Sequence, residues 1–144
     1  MIALGARQLR QIARAAEAAY PEECCGLLVG TGGEGSERRW RVVRVEASAN
    51  LAEGDRRRRF EVDPGLLIRL HRELRGGETR VIGVYHSHPD HPAEPSAHDL
   101  ERAMEPGLVW LIVSVVGGRA TDASAHVLAE DGACFNEIVL EIAG

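Results

Sequence analysis

The chain has 144 residues, a length that suits one domain with a single hydrophobic core, and residues 1–144 are taken as that domain. Its hydrophobic fraction of 44% and charged fraction of 27% are ordinary for a globular protein, and no run approaches the roughly 20 apolar residues of a membrane span. The net charge of −5 disfavours a general nucleic-acid-binding surface. All 17 basic residues are arginine, which excludes a lysine nucleophile or Schiff base.

The amino terminus and the cysteines both favour a protein of the cytoplasm. Residues 1–14 contain several arginines and no clean apolar block, so we expect no signal peptide. The cysteines are Cys24, Cys25 and Cys134, an odd and low count without a Cys-x-x-Cys pair. We therefore expect reduced, mostly buried thiols and no metal site built from thiolates.

The first half of the chain opens with a helix and continues with a hairpin. Apolar positions at helical spacing predict a helix over residues 7–19, which Pro21 ends. Residues 26–30 predict a short apolar strand. After a turn at residues 32–36, a second strand over residues 40–45 forms the other half of the hairpin.

The middle of the chain is first polar and then helical. Residues 52–59 are highly charged and predict a loop, and residues 60–62 predict a short strand. Asp63 or Pro64 begins a helix that continues to about Leu74, because proline is tolerated in the first turn of a helix.

The second half of the chain alternates strands with one helix. Its predicted elements are a strand over 80–86, a proline-rich loop over 89–95, a helix from Ser96 to about Met104, and strands over 108–116, 121–128 and 134–142. The mixture of helices with a largely β core predicts an α/β or α+β fold built on one mixed sheet.

Two histidines lie one residue apart at the end of the predicted strand over 80–86. Side chains alternate along a strand, so His86 and His88 point to the same side. Asp99 follows about ten residues later, and two imidazoles with one carboxylate can hold a metal that keeps an open fourth position. This donor set suits Zn²⁺ without excluding other divalent metals. Ser96-x-x-Asp99 is also the pattern of a helix capping box, so Asp99 could cap a helix, bind metal, or do both.

These residues resemble the signature of the JAMM (MPN+) metalloprotease family. The family pattern is His-x-His-Pro followed by Ser-x-x-Asp, and this chain has His86-Ser87-His88-Pro89 followed by Ser96-Ala97-His98-Asp99. The family also has an upstream glutamate three residues before a glycine. Alignment on Gly26 selects Glu23, with Glu22 as the alternative. The resemblance extends from about Leu9 to about Val127.

The resemblance implies a curved mixed sheet flanked by helices, related to the cytidine-deaminase architecture. It implies a zinc ion held by His86, His88 and Asp99. It also implies that Glu23 acts as general base and then general acid, and that Ser96 stabilises the oxyanion.

Other polar residues near the signature match no catalytic position of the family. His91 and His98 are interpreted as residues near the site or on the surface, while His71 and His126 lie in no motif. The Ser87 hydroxyl is expected to orient the loop, because a serine nucleophile needs a base and the adjacent histidines are assigned to metal.

The segment from Tyr20 to Gly26 resembles stand-alone bacterial members that process small ubiquitin-like sulfur-carrier proteins. This implies hydrolysis of an amide bond at the carboxyl-terminal tail of such a carrier, either to remove an extension or to release cysteine. The run Arg56–Arg59 is either a solvated loop or a docking surface for an acidic partner. The identity of the carrier and the formation of a homodimer stay open.

Two functions of other classes compete with a peptidase. The first is a metal-free MPN scaffold that only binds partners, which the complete ligand set opposes. The second is a zinc hydrolase or deaminase that acts on a small molecule. A zinc deaminase would show Cys-x-x-Cys near His-x-Glu, and the sequence contains no Cys-x-x-Cys.

Overall fold

The computed structural model describes residues 1–35, 38–103 and 107–144. Within these residues, eight strands and three helices are assigned. The strands are β1 (Ile2–Gly5), β2 (Cys25–Gly32), β3 (Trp40–Ser48), β4 (Arg80–Pro89), β5 (Val109–Val116), β6 (Arg119–Leu128), β7 (Phe135–Ile138) and β8 (Leu140–Ala143), and the helices are α1 (Ala6–Ala19), α2 (Pro64–Leu74) and α3 (Ala97–Arg102). No helix among them is long and apolar enough to cross a membrane.

The strands form one mixed sheet in the order β7-β6-β5-β4-β2-β3-β1-β8. β4 pairs in parallel with β5, and β1 pairs in parallel with both β3 and β8. The remaining pairs are antiparallel, including the hairpin of β2 and β3. The mixed sheet and the hairpin therefore confirm the sequence prediction.

The sheet is strongly curved, which follows from its two outermost strands. β7 and β8 lie at opposite ends of the strand order, yet only Val139 separates them in the chain. A strand advances about 3.3 Å per residue, so one residue cannot cross a flat sheet of this width. The sheet must curl until its outer edges come close together. The single strand predicted over 134–142 is therefore wrong, because the chain changes edge at Val139.

The strand β1 is absent from the sequence prediction. It has only four residues, and its partners β3 and β8 are distant in sequence. A strand this short has too little periodicity to be recognised, although Ile2 and Leu4 are both buried.

Helices cover the two faces of the sheet. Ile12 and Ala16 of α1 belong to one core cluster, which includes Leu28 and Ile82. Leu66 and Leu70 of α2 belong to a second cluster, which includes Val84 and Trp110. Because β4 has residues in both clusters, it is buried on both faces, as expected for an apolar central strand.

The helix boundaries agree with the local sequence signals. The Asp63 side chain caps α2 by accepting a hydrogen bond of 2.9 Å from the Gly65 amide, and Pro64 is the first helical residue. Ser96 caps α3, which ends at Arg102. The predicted helix end near Met104 lies outside the described residues.

Residues 52–59 form turns and bends, as predicted, but residues 60–62 do not form a strand. Only Val62 pairs, in an isolated bridge with Asn50. The Glu61 amide instead donates to the Asn50 side chain, and Phe60 turns into the core. The Leu51 amide still donates to the Glu61 carbonyl at 2.9 Å, but the Asn50 side chain takes the Glu61 amide, so the predicted strand is reduced to this one bridge.

Candidate metal centre and active site

Three side chains converge where β4 ends. The Nε2 atoms of His86 and His88 are 3.0 Å apart, and each lies 3.1 Å from Oδ2 of Asp99. All three residues are buried. The two histidines project from the same face of β4 because one residue separates them, as the sequence predicted.

The geometry of these atoms fits a divalent metal. Four ligands at about 2.0–2.2 Å from a tetrahedral zinc are about 3.3–3.6 Å from one another, close to the triangle of ligand atoms found here. Two imidazoles and one carboxylate are donors that such a metal accepts. Among the described residues, His86, His88 and Asp99 are the group that could hold a metal ion, and no cysteine belongs to it.

A hydrogen bond fixes the tautomer of His88. Its Nδ1 atom lies 2.9 Å from the carbonyl oxygen of Pro92. A carbonyl can only accept, so Nδ1 carries the hydrogen and the lone pair of a neutral ring is on Nε2. Nε2 is therefore the atom of His88 available to a metal, with Pro92 as the partner that orients the ring.

The loop after β4 is fastened at three consecutive carbonyl groups. Ser114 of β5 donates to the carbonyl of His91 at 2.6 Å, His88 donates to that of Pro92, and Ser124 of β6 donates to that of Ala93. The donors come from three adjacent strands. The loop between His88 and Asp99 is thus held against the sheet.

The Ser124 hydroxyl is itself positioned by His126. Because Ser124 uses its hydrogen toward Ala93, its oxygen accepts from Nε2 of His126 at 2.7 Å. His126 is buried. The sequence analysis placed His126 in no motif and did not identify Ser114 or Ser124 as supporting residues. Ser114 could have been found from sequence, because it is the one polar residue inside an otherwise apolar strand.

His86 is held by packing. Its ring stacks on Phe60 with a centroid distance of 4.3 Å and an interplanar angle of 18°, and it meets Trp110 edge-on at 5.5 Å. Its Nδ1 atom is buried and has no hydrogen-bond partner among the described residues. The aromatic contacts therefore take the place of the hydrogen bond that usually orients a metal-binding histidine.

Asp99 serves the helix cap and the ligand triangle together. Its Oδ2 accepts from the Ser96 amide at 2.9 Å, while its own amide donates to Oγ of Ser96 at 3.1 Å. Burial alone would raise the pKa of Asp99, but the hydrogen bonds with His86 and His88 hold that pKa far below its usual range. The capping interpretation therefore holds in the structure, and the same ionised carboxylate lies in the group that could hold a metal ion.

Ser96 also faces a cleft of about 400 Å³ that Glu23 and His88 line. Its oxygen accepts from Asp99, and none of the described residues takes its hydroxyl hydrogen. His91 and His98 line the same cleft, outside the ligand group, which agrees with their interpretation as residues near the site.

Glu23 is a buried carboxylate beside the ligands. Only 5% of its surface is exposed, and its Oε1 has no hydrogen-bond partner among the residues described. Burial raises the pKa of Glu23 to about 8, against the opposing attraction of His88. Glu22 is exposed to solvent. Of the two candidates in the sequence, the structure brings Glu23 into the cleft.

The segment before β2 is attached to β4 next to the histidines. Oγ of Ser87 accepts from the Cys24 amide at 2.8 Å, and the Ser87 amide donates to the Cys24 carbonyl at 3.2 Å. Ser87 therefore orients the backbone beside Glu23, whereas the sequence assigned its hydroxyl to the loop. A side chain at Gly26 would collide with the ring of Tyr85 and the carbonyl of Glu46, which explains the glycine three residues after Glu23.

The cysteines take no part in the ligand group. Cys24 and Cys25 are buried and free, while Cys134 is exposed. Burial raises the pKa of Cys25 to about 12, so its thiol stays protonated near neutral pH. The expectation of reduced, mostly buried thiols agrees with these positions.

Comparison with protein families gives a match over most of the chain. A family model described as prokaryotic homologs of the JAB domain matches residues 5–127. A desampylase from Haloferax volcanii is 36% identical over 97 residues, which span 67% of this chain and 66% of that protein, just under two thirds of its length. A CysO-cysteine peptidase from Mycobacterium tuberculosis is 26% identical over 121 residues, covering 83% of this chain and 77% of the relative.

Solved structures share the fold over nearly the whole chain. A solution structure of a protein from Desulfitobacterium hafniense has a TM-score of 0.80 at 30% identity and covers 99% of this chain and 93% of its own. A JAB1/MPN domain protein from Archaeoglobus fulgidus has a TM-score of 0.58 at 22% identity, covering 99% and 98%. A chain described as a metalloprotease-like zinc site in the proteasome and signalosome has a TM-score of 0.52 at 22% identity, covering 99% and 96%. The expected JAMM/MPN fold is confirmed.

Proposed function

Because the chain belongs to the family of prokaryotic homologs of the JAB domain, we propose that it is a zinc-dependent peptidase of the JAMM type. Its substrate is the carboxyl-terminal tail of a small ubiquitin-like sulfur-carrier protein. The observation that carries the proposal is the triangle of His86, His88 and Asp99 beside the buried carboxylate of Glu23. The names of the relatives, a desampylase and a CysO-cysteine peptidase, support a peptidase.

Each residue has a distinct role in the proposed reaction. His86, His88 and Asp99 would hold a divalent metal, which would supply positive charge to polarise the amide carbonyl and acidify water. Glu23 accepts the proton of the attacking water and then returns it to the leaving amine. Ser96 donates its free hydroxyl hydrogen to the oxygen on which negative charge develops.

Burial gives Glu23 the proton affinity that these two transfers need. A carboxylate with a pKa near the working pH can both take and return a proton, whereas an exposed glutamate is too weak a base. The raised pKa of Glu23, about 8, is consistent with that use. The positive charge of a bound metal would favour the ionised form and so prepare Glu23 to act first as a base.

Cleavage of a carrier fusion tests this proposal. The substrate is a small ubiquitin-like carrier that ends in Gly-Gly and is extended by a short peptide. We expect the zinc-loaded protein to release the extension directly after Gly-Gly, as read by mass spectrometry of both products. Metal analysis should find one zinc per chain, and the His88→Ala/Asp99→Ala double variant should lose both the zinc and the cleavage.

The alternatives give different results in the same experiment. A metal-free scaffold would bind the carrier without cleaving it and without retaining zinc. Zinc at full occupancy with no cleavage of any carrier would instead favour a hydrolase of small molecules. Zinc retained by the double variant would mean that the metal binds elsewhere.

A further inference from the structure

Hydrogen bonds of the Asn50 side chain attach the loop between β3 and α2 to the backbone at Glu23, the proposed base. The Nδ2 atom of Asn50 donates to the carbonyls of Glu23 and Arg59 at 3.1 and 2.9 Å. Its Oδ1 accepts from the amides of Ala52 and Glu61 at 3.0 and 3.1 Å. One side chain thus uses its full hydrogen-bonding capacity to join both ends of the loop to the backbone of the proposed base.

The arginines of this loop have different surroundings. The Arg56 carbonyl accepts from the Glu23 amide at 2.8 Å, and the Arg56 side chain turns back to donate to the Ala52 carbonyl at 3.0 Å. Asp55 closes a turn by accepting from the Arg57 amide at 3.0 Å. Arg57 and Arg58, at the tip, line the same cleft as Glu23 and Ser96. A solvated charged loop would not need these attachments.

Arg57 and Arg58 form no ion pair with any carboxylate in the described part of the chain. Arg44, by contrast, pairs with Glu46 at 2.7 Å and with Glu73 at 3.1 Å. The chain carries a net charge of −5, so potential partners are abundant. Two guanidinium groups are therefore held on an attached turn beside the base and left available to an external anion.

We propose that Arg57 and Arg58 bind acidic side chains of the substrate tail while it lies in the cleft. This inference rests on the proposed function and adds a preference for carboxylates near the cleaved bond. Arginine suits the task because its planar fork donates two parallel hydrogen bonds to a carboxylate. Because both residues line the cleft, recognition acts on the tail itself, and a short peptide should be enough to show it.

Binding of matched peptides tests the inference without depending on cleavage. The probes are fluorescent tail peptides that end in Gly-Gly-Ala and differ only in having two Glu or two Gln before Gly-Gly. They are titrated by anisotropy against zinc-loaded Glu23→Gln protein, which should bind without turnover. We expect the Glu peptide to bind at least about fivefold more tightly than the Gln peptide, with the difference shrinking at high salt.

Variants identify the residues responsible. Arg57→Gln/Arg58→Gln should reduce binding of the Glu peptide to the level of the Gln peptide and leave the Gln peptide unchanged. Arg59→Gln removes a neighbouring charge of the same loop that does not line the cleft, and it should leave both affinities unchanged. Equal weakening of both peptides, or the same effect from Arg59→Gln, would overturn the inference.

The test separates this inference from the proposed function. Charge-dependent binding lost in the double variant, together with no cleavage by zinc-loaded wild-type protein, supports the arginine site and contradicts the peptidase. Cleavage of the carrier fusion together with equal binding of the two peptides contradicts the arginine site and leaves the peptidase standing.

Discussion

The hydroxyl of Ser124 donates a hydrogen bond to the carbonyl oxygen of Ala93, within the loop that connects His88 and Asp99. The Ser114 hydroxyl likewise donates to the carbonyl oxygen of His91, two residues earlier in the same loop. Between them, the Pro92 carbonyl orients the ring of His88. Two serines on neighbouring strands therefore position the loop whose Pro92 carbonyl orients His88, a proposed metal ligand.

We predict that Ser114→Ala and Ser124→Ala each lower zinc affinity by about tenfold, the lower end of what outer-shell partners of metal ligands contribute. Competition with a zinc-binding dye measures the affinity. Ser124→Thr keeps a hydroxyl at a half-buried position and should restore it. The prediction fails if the Ala variants bind zinc as tightly as wild-type protein, or if Ser124→Thr binds as weakly as Ser124→Ala.

Glu23 and Glu22 provide a matched pair of variants. Glu23→Gln should retain zinc and lose about 10²- to 10⁴-fold in the rate of tail hydrolysis, because an amide cannot accept the proton of the attacking water. Glu22→Gln makes the same change at an exposed position and should keep nearly full activity. Zinc content and the cleavage rate are measured on the same preparations. An active Glu23→Gln with an inactive Glu22→Gln would shift the assignment of the base by one residue.

The parts of the fold that could be predicted from sequence depend on local patterns. Helix α2 was predicted because Asp63, Pro64 and its apolar positions are all close in the chain. The convergence of His86, His88 and Asp99 could be predicted because one strand and one capping box carry all three. Two features could not be predicted: β1, and the passage of the chain at Val139 from one edge strand of the sheet to the other. Both depend on the curvature of the whole sheet.

The supporting residues of the site were missed for a related reason. Ser124 acts on a carbonyl 31 positions earlier in the chain, and Asn50 acts on one 27 positions earlier. Neither forms a motif, because each contacts backbone atoms whose identity does not depend on the side chains around them. The role of the arginine run stays open at the level of sequence, because a sequence does not show that Arg56 bonds back to the Ala52 carbonyl while Arg57 and Arg58 line the cleft.

The cysteines should differ sharply in reactivity. Cys134 is exposed and should be alkylated rapidly by iodoacetamide at pH 8, whereas Cys24 and Cys25 are buried and should react only on unfolding. The pKa of Cys25, about 12, leaves almost no thiolate at that pH. Mass spectrometry should find one modified cysteine in the folded protein and three after denaturation. Cys134→Ser should remove the rapid reaction, and rapid modification of Cys25 would contradict the buried position.

The raised pKa of Glu23 predicts how the stability of the metal-free protein depends on pH. The pKa is about 8 in the folded protein, against 4.5 for an unperturbed glutamate. Between these values the unfolded chain loses the proton while the folded protein keeps it. The contribution of Glu23 to the free energy of unfolding is therefore fully present below about pH 4.5 and is lost as the pH rises toward 8. The loss is up to about 1.4 kcal/mol per pH unit.

Urea unfolding of wild-type and Glu23→Gln protein, both treated with chelator, isolates this contribution. Every other ionisable group is common to both proteins, so its contribution largely cancels in the difference between the two free energies of unfolding. We expect wild-type protein to lose stability relative to Glu23→Gln as the pH rises from 5 to 8. A difference that stays constant over this range would mean that Glu23 is ionised in the metal-free fold. With zinc added to both proteins, the slope should become smaller, because a nearby cation favours the carboxylate and lowers the pKa of Glu23.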